Sequence, residues 1–297
     1  MTGMDAFSRL HPAVGFIYFL CVTCFAAFFM HPAAVACSCA ASLAYAVCLR
    51  RASGLRFCLG IALPAFVLVT VINPIFNHSG ATVLAYFPSG NPLTYESLIY
   101  GAAAAGMMAS VLQWFYCVSA VMTSDKLICL FGRAAPSLGL LLSMTLRLVG
   151  RFSAKYKSVY SARSVGKSCG KRRKTARVRA AAAATSATVT WALENSAETA
   201  DAMKSRGYGL PGRTSFTVFR FTLRDAALLS SVLLMSAAVV AGIVTGAAGY
   251  GYFPRFSAHA DGILAAVSLG AYSVLCFLPV LMYLTEAAVW KYSRRRI

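Results

Sequence analysis

Acidic residues are scarce in this chain. Nine Asp and Glu stand against 28 Lys and Arg, for a formal charge of +19. Positions 126–193 hold fourteen Lys or Arg and no acid at all, so the counter-charge to that region is expected on another molecule. Charge of either sign is missing from several long apolar runs, and 59% of the residues are hydrophobic. That combination excludes an ordinary soluble domain, which would leave too much apolar surface in water. Carboxylates are absent from the middle of the apolar runs, with only Glu286 near one end. This argues against a self-sufficient proton- or ion-driven carrier, which places ionisable groups mid-membrane.

Other absences narrow the chemistry. The loops at 77–96 and 249–261 contain no cysteine although the chain has ten, so a disulfide framework is not expected. Cys21-Val-Thr-Cys24 has C-x-x-C spacing but lies in an apolar run without polar neighbours, and reads as packing. Gly166-Lys167-Ser168 imitates the end of a phosphate loop, yet position 161 is Ser where the motif needs Gly, and no strand precedes it. His31, His78 and His259 lie in three unrelated loops without ligand spacing. No catalytic, metal or cofactor constellation is expected.

The apolar runs predict six membrane spans at about 14–30, 33–49, 57–76, 97–122, 226–248 and 262–287, each near the ~20 residues a bilayer core requires. Only His31-Pro32 separates the first two, and Pro64, Pro74 and Pro279 predict bends or ends. Basic residues collect on the cytoplasmic side. With the N-terminus inside, 27 of the 28 Lys and Arg fall in inside segments, and only Arg255 falls outside. Both termini are therefore expected in the cytoplasm. Arg9, the first apolar run and Ala34-Val35-Ala36-Cys37 imitate a cleaved signal, but the segment beyond is apolar again, which suits a second span better.

The predicted fold class is an all-α integral membrane protein. It has a four-span block at 1–122, a cytoplasmic helical region at 123–225, and a two-span hairpin with a basic tail at 226–297. The loop 77–96 has turn residues at both ends and a strand-like centre at 81–87. Gly101 to Gly106 and Gly242-x-x-x-Gly246 would let helices approach closely; packing within the chain is favoured over a partner helix.

Two helices are expected in the cytoplasmic region. After Pro136, Arg147, Arg151 and Lys155 make a basic stripe at i+4 steps, while Leu148, Phe152, Tyr156 and Val159 make an apolar one. Arg163 continues the apolar stripe near a helix end at Gly166. The second helix runs from about 180 to Arg206 and stops at Gly207, Gly209 and Pro211-Gly212. Glu194, Glu198 and Asp201 share a face that Arg206 does not. Periodicity leaves open whether Arg163 and Arg206 are docking groups or solvated topogenic charges. The tract 167–179, with seven cations, reads as a solvated or lipid-facing loop. Nucleic-acid binding would want interleaved aromatics or a recognisable module, and neither is seen.

Several stretches together resemble a known family. They are Ser161-Ala162-Arg163-Ser164, Lys204-Ser205-Arg206-Gly207, the run from Trp191 to Gly209, Arg213-Thr-Ser-Phe, Phe76-Asn-His-Ser-Gly and Met122-Thr-Ser-Asp-Lys-Leu. They look like the transmembrane T component of energy-coupling factor (ECF) transporters, across roughly residues 10–290. The resemblance implies a bacterial cytoplasmic-membrane protein that links two ABC-type ATPase subunits to a small membrane subunit capturing a vitamin or metal ion. It implies that the triplets Ala162-Arg163-Ser164 and Ser205-Arg206-Gly207 dock in ATPase grooves. The second triplet has Ser where Ala is commonest. Leu148, Phe152, Tyr156 and Val159 would support the docking helices. A substrate-conducting ABC permease and an anionic-lipid-binding scaffold are the competing readings.

Overall fold

The computed structural model describes residues 6–86, 92–134, 136–165, 174–210, 219, 221–247, 249–253, 257–258 and 262–294. The sequence features at 166–173, 211–216, Arg255, His259 and 295–297 lie outside these residues, as do the side chains of Arg163 and Ser164.

Helices dominate. In chain order they are α1 (Pro12–Phe28), α2 (Pro32–Phe57), α3 (Leu63–Phe76), α4 (Tyr95–Val121), α5 (Ser124–Ala134), α6 (Pro136–Val165), α7 (Lys174–Ser205), α8 (Leu223–Val244) and α9 (Ile263–Arg294). Two small antiparallel ribbons accompany them: β1 (Val83–Tyr86) with β2 (Pro92–Thr94), and β3 (Tyr250–Gly251) with β4 (Ser257–Ala258). Among the described residues, four helical stretches are long and apolar enough to cross a membrane: Pro32–Phe76, Tyr95–Val121, Leu223–Val244 and Ile263–Ser293. A fifth, Pro12–Phe28, is apolar but shorter.

The 45-residue stretch Pro32–Phe76 is not one rod. Backbone geometry leaves the helical region at Arg50 and Arg51. Gln113 of α4 accepts a hydrogen bond from Ser42 (2.7 Å), and its amide nitrogen reaches the Cys58 sulfur (3.5 Å). Residues 42 and 58 would be about 24 Å apart on a straight helix. The chain therefore reverses at the two exposed arginines, and 32–49 and 52–76 are two legs of a hairpin. Gly54 makes the reversal possible, because a Cβ there would lie 2.4 Å from the Ala46 carbonyl oxygen.

Proline shapes the legs as the sequence predicts. Pro64 has no N–H to give, and the preceding turn, Cys58–Ala62, widens to a π-helix. Pro279 lies inside α9 and leaves the Leu275 carbonyl without its helical donor. The buried Tyr18 hydroxyl of α1 donates to that carbonyl at 3.0 Å. Such compensation is needed where no water can substitute.

Residues 1–126 and 219–297 form one compact unit, and 127–218 form another. The stretches 1–122 and 226–297, read as separate blocks from sequence, thus share one core. α4 packs against α1, α2 and α3, while α9 packs against α2 and α8. Tyr18, Phe19, Tyr45, Phe7 and Trp114 make edge-to-face contacts at the centre, and Trp114 donates to Ser38 at 3.0 Å. Small residues bring helices together within the chain: a Cβ on Gly106 would lie 2.6 Å from Val35, and one on Gly101 would lie 2.9 Å from Asn73. Gly246 differs, terminating α8 at φ +71°.

Candidate functional site: the α6–α7 arm and its stem

The helices α6 and α7 pack on each other through a narrow seam. Leu148, Phe152, Tyr156 and Val159 are the half-buried face of α6, and Arg147, Arg151 and Lys155 are exposed, as the predicted stripes require. On α7 the buried positions are Ala184 and Thr188, with Trp191 and Asn195 half-buried on the same stripe. Spacing of 4, 3 and 4 residues keeps these on one helical face. Trp191 is the key. Its ring meets Phe152 edge-on at 5.9 Å, and the Lys155 ammonium lies 5.4 Å above it.

That contact sets the direction of α7. Phe152 is 13 residues from the end of α6, and Trp191 is 17 residues into α7. If the helices ran parallel, the end of α6 and the start of α7 would be about 45 Å apart. The nine peptide links from 165 to 174 can span only about 32 Å. The helices therefore run antiparallel. Beyond Leu148 and Asn195 the seam loosens: residues 141–147 of α6 and 196–202 of α7 are all exposed. At its start α6 is held by α5, where a Cβ on Gly139 would lie 2.4 Å from the Gly132 Cα.

The two predicted triplets occupy different ends of this arm. Ala162 is exposed on the last turn of α6, with the backbones of Arg163 and Ser164 completing the helix. At the end of α7 the chain makes a Schellman cap. Gly207 N–H donates to Lys204 O (3.0 Å), Tyr208 N–H donates to Met203 O (3.0 Å), and Gly207 adopts φ +78°. Arg206 is the capping residue itself and is exposed. Ser205 folds its hydroxyl onto the Ala202 carbonyl at 3.0 Å, so it adds little bulk beside Arg206. Asp201 pairs with Lys204 at 3.8 Å, with both side chains exposed, and no ion pair to Arg206 occurs among the described residues. Counted along the antiparallel pair from the Phe152–Trp191 contact, positions 163 and 206 are on the order of 40 Å apart. The structure does not bring the two arginines together.

The stem from which this region departs was not legible from sequence. Lys126, 8% exposed, donates to the carbonyls of Ser8 (2.7 Å) and Val121 (2.9 Å). Asp225 is also buried. It completes a capping box with Thr222 at the start of α8 and accepts the His11 backbone N–H at 3.2 Å. The His11 ring meets Phe221 at 5.4 Å. Lys126, Phe221 and Asp225, all in the unit of 1–126 and 219–297, are thus tied to the same N-terminal segment. Arg9 of that segment pairs with Glu286 of α9 at 3.8 Å.

His11 and His31 prove to be helix caps. Each accepts through Nδ1 from the backbone N–H two residues on, at 3.2 and 3.3 Å. The repeated His-Pro dipeptide, a capping side chain followed by Pro in the first turn, was the available signal. Partial burial holds the His31 imidazole below its ordinary pKa. Among the described residues no group of His, Cys, Asp and Glu could hold a metal ion. No protein-family model matches this chain, and no curated protein matches it.

Proposed function

We propose that this protein is the energy-coupling transmembrane component of an ECF-type ABC importer in a bacterial cytoplasmic membrane. In this reading the six helical legs 12–28, 32–49, 52–76, 95–121, 223–244 and 263–294 each cross the bilayer, with both termini and 127–218 on the cytoplasmic side. The turn at Arg50–Arg51 counts as an inside loop, and Arg50, Arg51 and Arg56 then obey the same charge rule as the rest of the chain.

The observation that carries the reading is the α6–α7 arm. It offers two small-Arg-small triplets on separate helix ends, on the order of 40 Å apart along the pair. That separation suits two ATPase subunits rather than one groove. Arg206 is an exposed guanidinium with small neighbours and a sharp left-handed glycine behind it, so a groove can admit the helix tip. A guanidinium offers a carboxylate two parallel donors, which answers the shortage of acid in the chain. ATP-driven closure of the ATPase pair would move the two ends, and the seam would carry the motion to the stem. A small membrane subunit that captures a vitamin or metal ion would respond. The chain performs no catalysis in this scheme, requires no cofactor and binds no nucleic acid.

The test is co-purification in mild detergent from the native membrane. Two ABC-type ATPase subunits and a small membrane protein are the expected partners. Arg163→Glu with Arg206→Glu should abolish coupled uptake, and normal uptake by the double variant would overturn the proposal.

A further inference from the structure

The ribbon β1–β2 closes the end of the bundle where α3 and α4 meet, and its composition is unusual for a loop in water. Residues 57–95 contain no Asp, Glu, Lys or Arg. The first charge, Glu96, is turned inward and is 4% exposed. It accepts from the Thr82 backbone N–H (3.2 Å) and from the Thr82 hydroxyl. Gly80, at φ +150°, closes over it; a Cβ there would lie 2.7 Å from the carboxylate and 2.8 Å from Thr94. The base of the ribbon is pinned further by Thr94 to the Ser79 carbonyl (2.9 Å) and by Ser97 to the Asn77 carbonyl (2.5 Å). These polar groups hold the base of the ribbon, while β1 is exposed along its length, with Val83, Leu84 and Tyr86 at 46%, 59% and 72% exposure.

A two-stranded ribbon is marginal in water on its own, and this one carries exposed apolar side chains. On α3, which leads into the ribbon, Val67, Val71 and Ile75 form an exposed row at i+4 steps ending beside the exposed Phe76. A row exposed along the whole length of a membrane-crossing helix faces acyl chains, and an exposed tyrosine such as Tyr86 suits the headgroup boundary. We propose that the Leu84–Tyr86 face of the β1–β2 ribbon lies in the bilayer itself, at the headgroup–acyl boundary of the leaflet at that end of the bundle. It would act as a lateral anchor that fixes the depth of α3 and α4.

The experiment is a Leu84→Trp variant of the full chain, reconstituted alone in phosphatidylcholine vesicles. The unmodified chain, with Trp114, Trp191 and Trp290, is subtracted as background. The added emission should be blue-shifted, lost when the lipid is brominated on the upper acyl chain, and unaffected by aqueous iodide. Quenching by iodide and not by brominated lipid would place the ribbon in water and overturn the proposal. Quenching by neither would mean that protein, such as a second copy, covers the face, and would overturn it as well. Tyr86→Trp, an aromatic exchange on the same face, provides the same readout if the first variant fails to fold.

Discussion

Arg206 combines three things that a simple topogenic charge does not need: a helix terminus, small neighbours and a glycine held at positive φ. Each can be removed separately. Reversing the charge, Arg206→Glu, should weaken ATPase-subunit binding by about 2 kcal/mol or more, roughly thirtyfold, as titrated with purified subunits. Gly207→Val leaves the charge but penalises the cap by about 1–2 kcal/mol, the usual price of a left-handed β-carbon. The amides of Gly207 and Tyr208 should then exchange with solvent several-fold faster while the middle of α7 is unchanged. His31 allows a pH test at the same scale. Its cap requires an unprotonated Nδ1, and its pKa is depressed in the fold. Folding therefore gains from it above the unfolded value of about 6.5 and loses that gain as pH falls through the lower folded value. Acidification below about pH 6.5 should fray the start of α2. His31→Asn, which caps without titrating, should remove that pH dependence in amide exchange.

At the level of elements, the proposed coupling needs the seam to carry force applied at a helix tip. Phe152 and Trp191 fix the register of α6 on α7, and Phe152 is only half-buried. Phe152→Ala should cost about 2 kcal/mol, below the 3–5 kcal/mol of a fully buried Phe. It should leave ATPase-subunit binding at Arg206 intact while lowering uptake per ATP hydrolysed, measured in reconstituted vesicles. The α6 half of this seam was readable in advance because Leu148, Phe152, Tyr156 and Val159 are large and recur at helical spacing. The α7 half was not, since Ala184 and Thr188 are too small to mark an apolar stripe, and Trp191 looked isolated among them. The reversal at Arg50–Arg51 was legible because charge interrupts the apolar run there. The Tyr18–Leu275 hydrogen bond was not: Pro279 announces that a carbonyl is freed, but only the packed bundle reveals which donor reaches it.

For the whole molecule, the coupling reading requires that motion of residues 127–218 be felt by the helices of the other unit, and the stem is where the chain makes that connection. Lys126 and Asp225 are buried ionisable groups 99 positions apart in sequence. Both are held by the backbone of residues 8–11. Burying such groups is costly unless they are hydrogen-bonded, so a purely structural hinge would be better served by apolar packing. Lys126→Met keeps most of the apolar stem of the side chain but leaves the Ser8 and Val121 carbonyls without this donor, a loss of about 1–3 kcal/mol. If the stem transmits force, the variant should still assemble with both ATPase subunits through its unaltered helix tips. Those subunits should still hydrolyse ATP, and uptake should fall by a much larger factor than hydrolysis. Equal loss of assembly, hydrolysis and uptake would mean that Lys126 serves only to hold the fold. Full uptake would mean that motion reaches the membrane helices by another route, with the arm tips and not the stem setting the coupling.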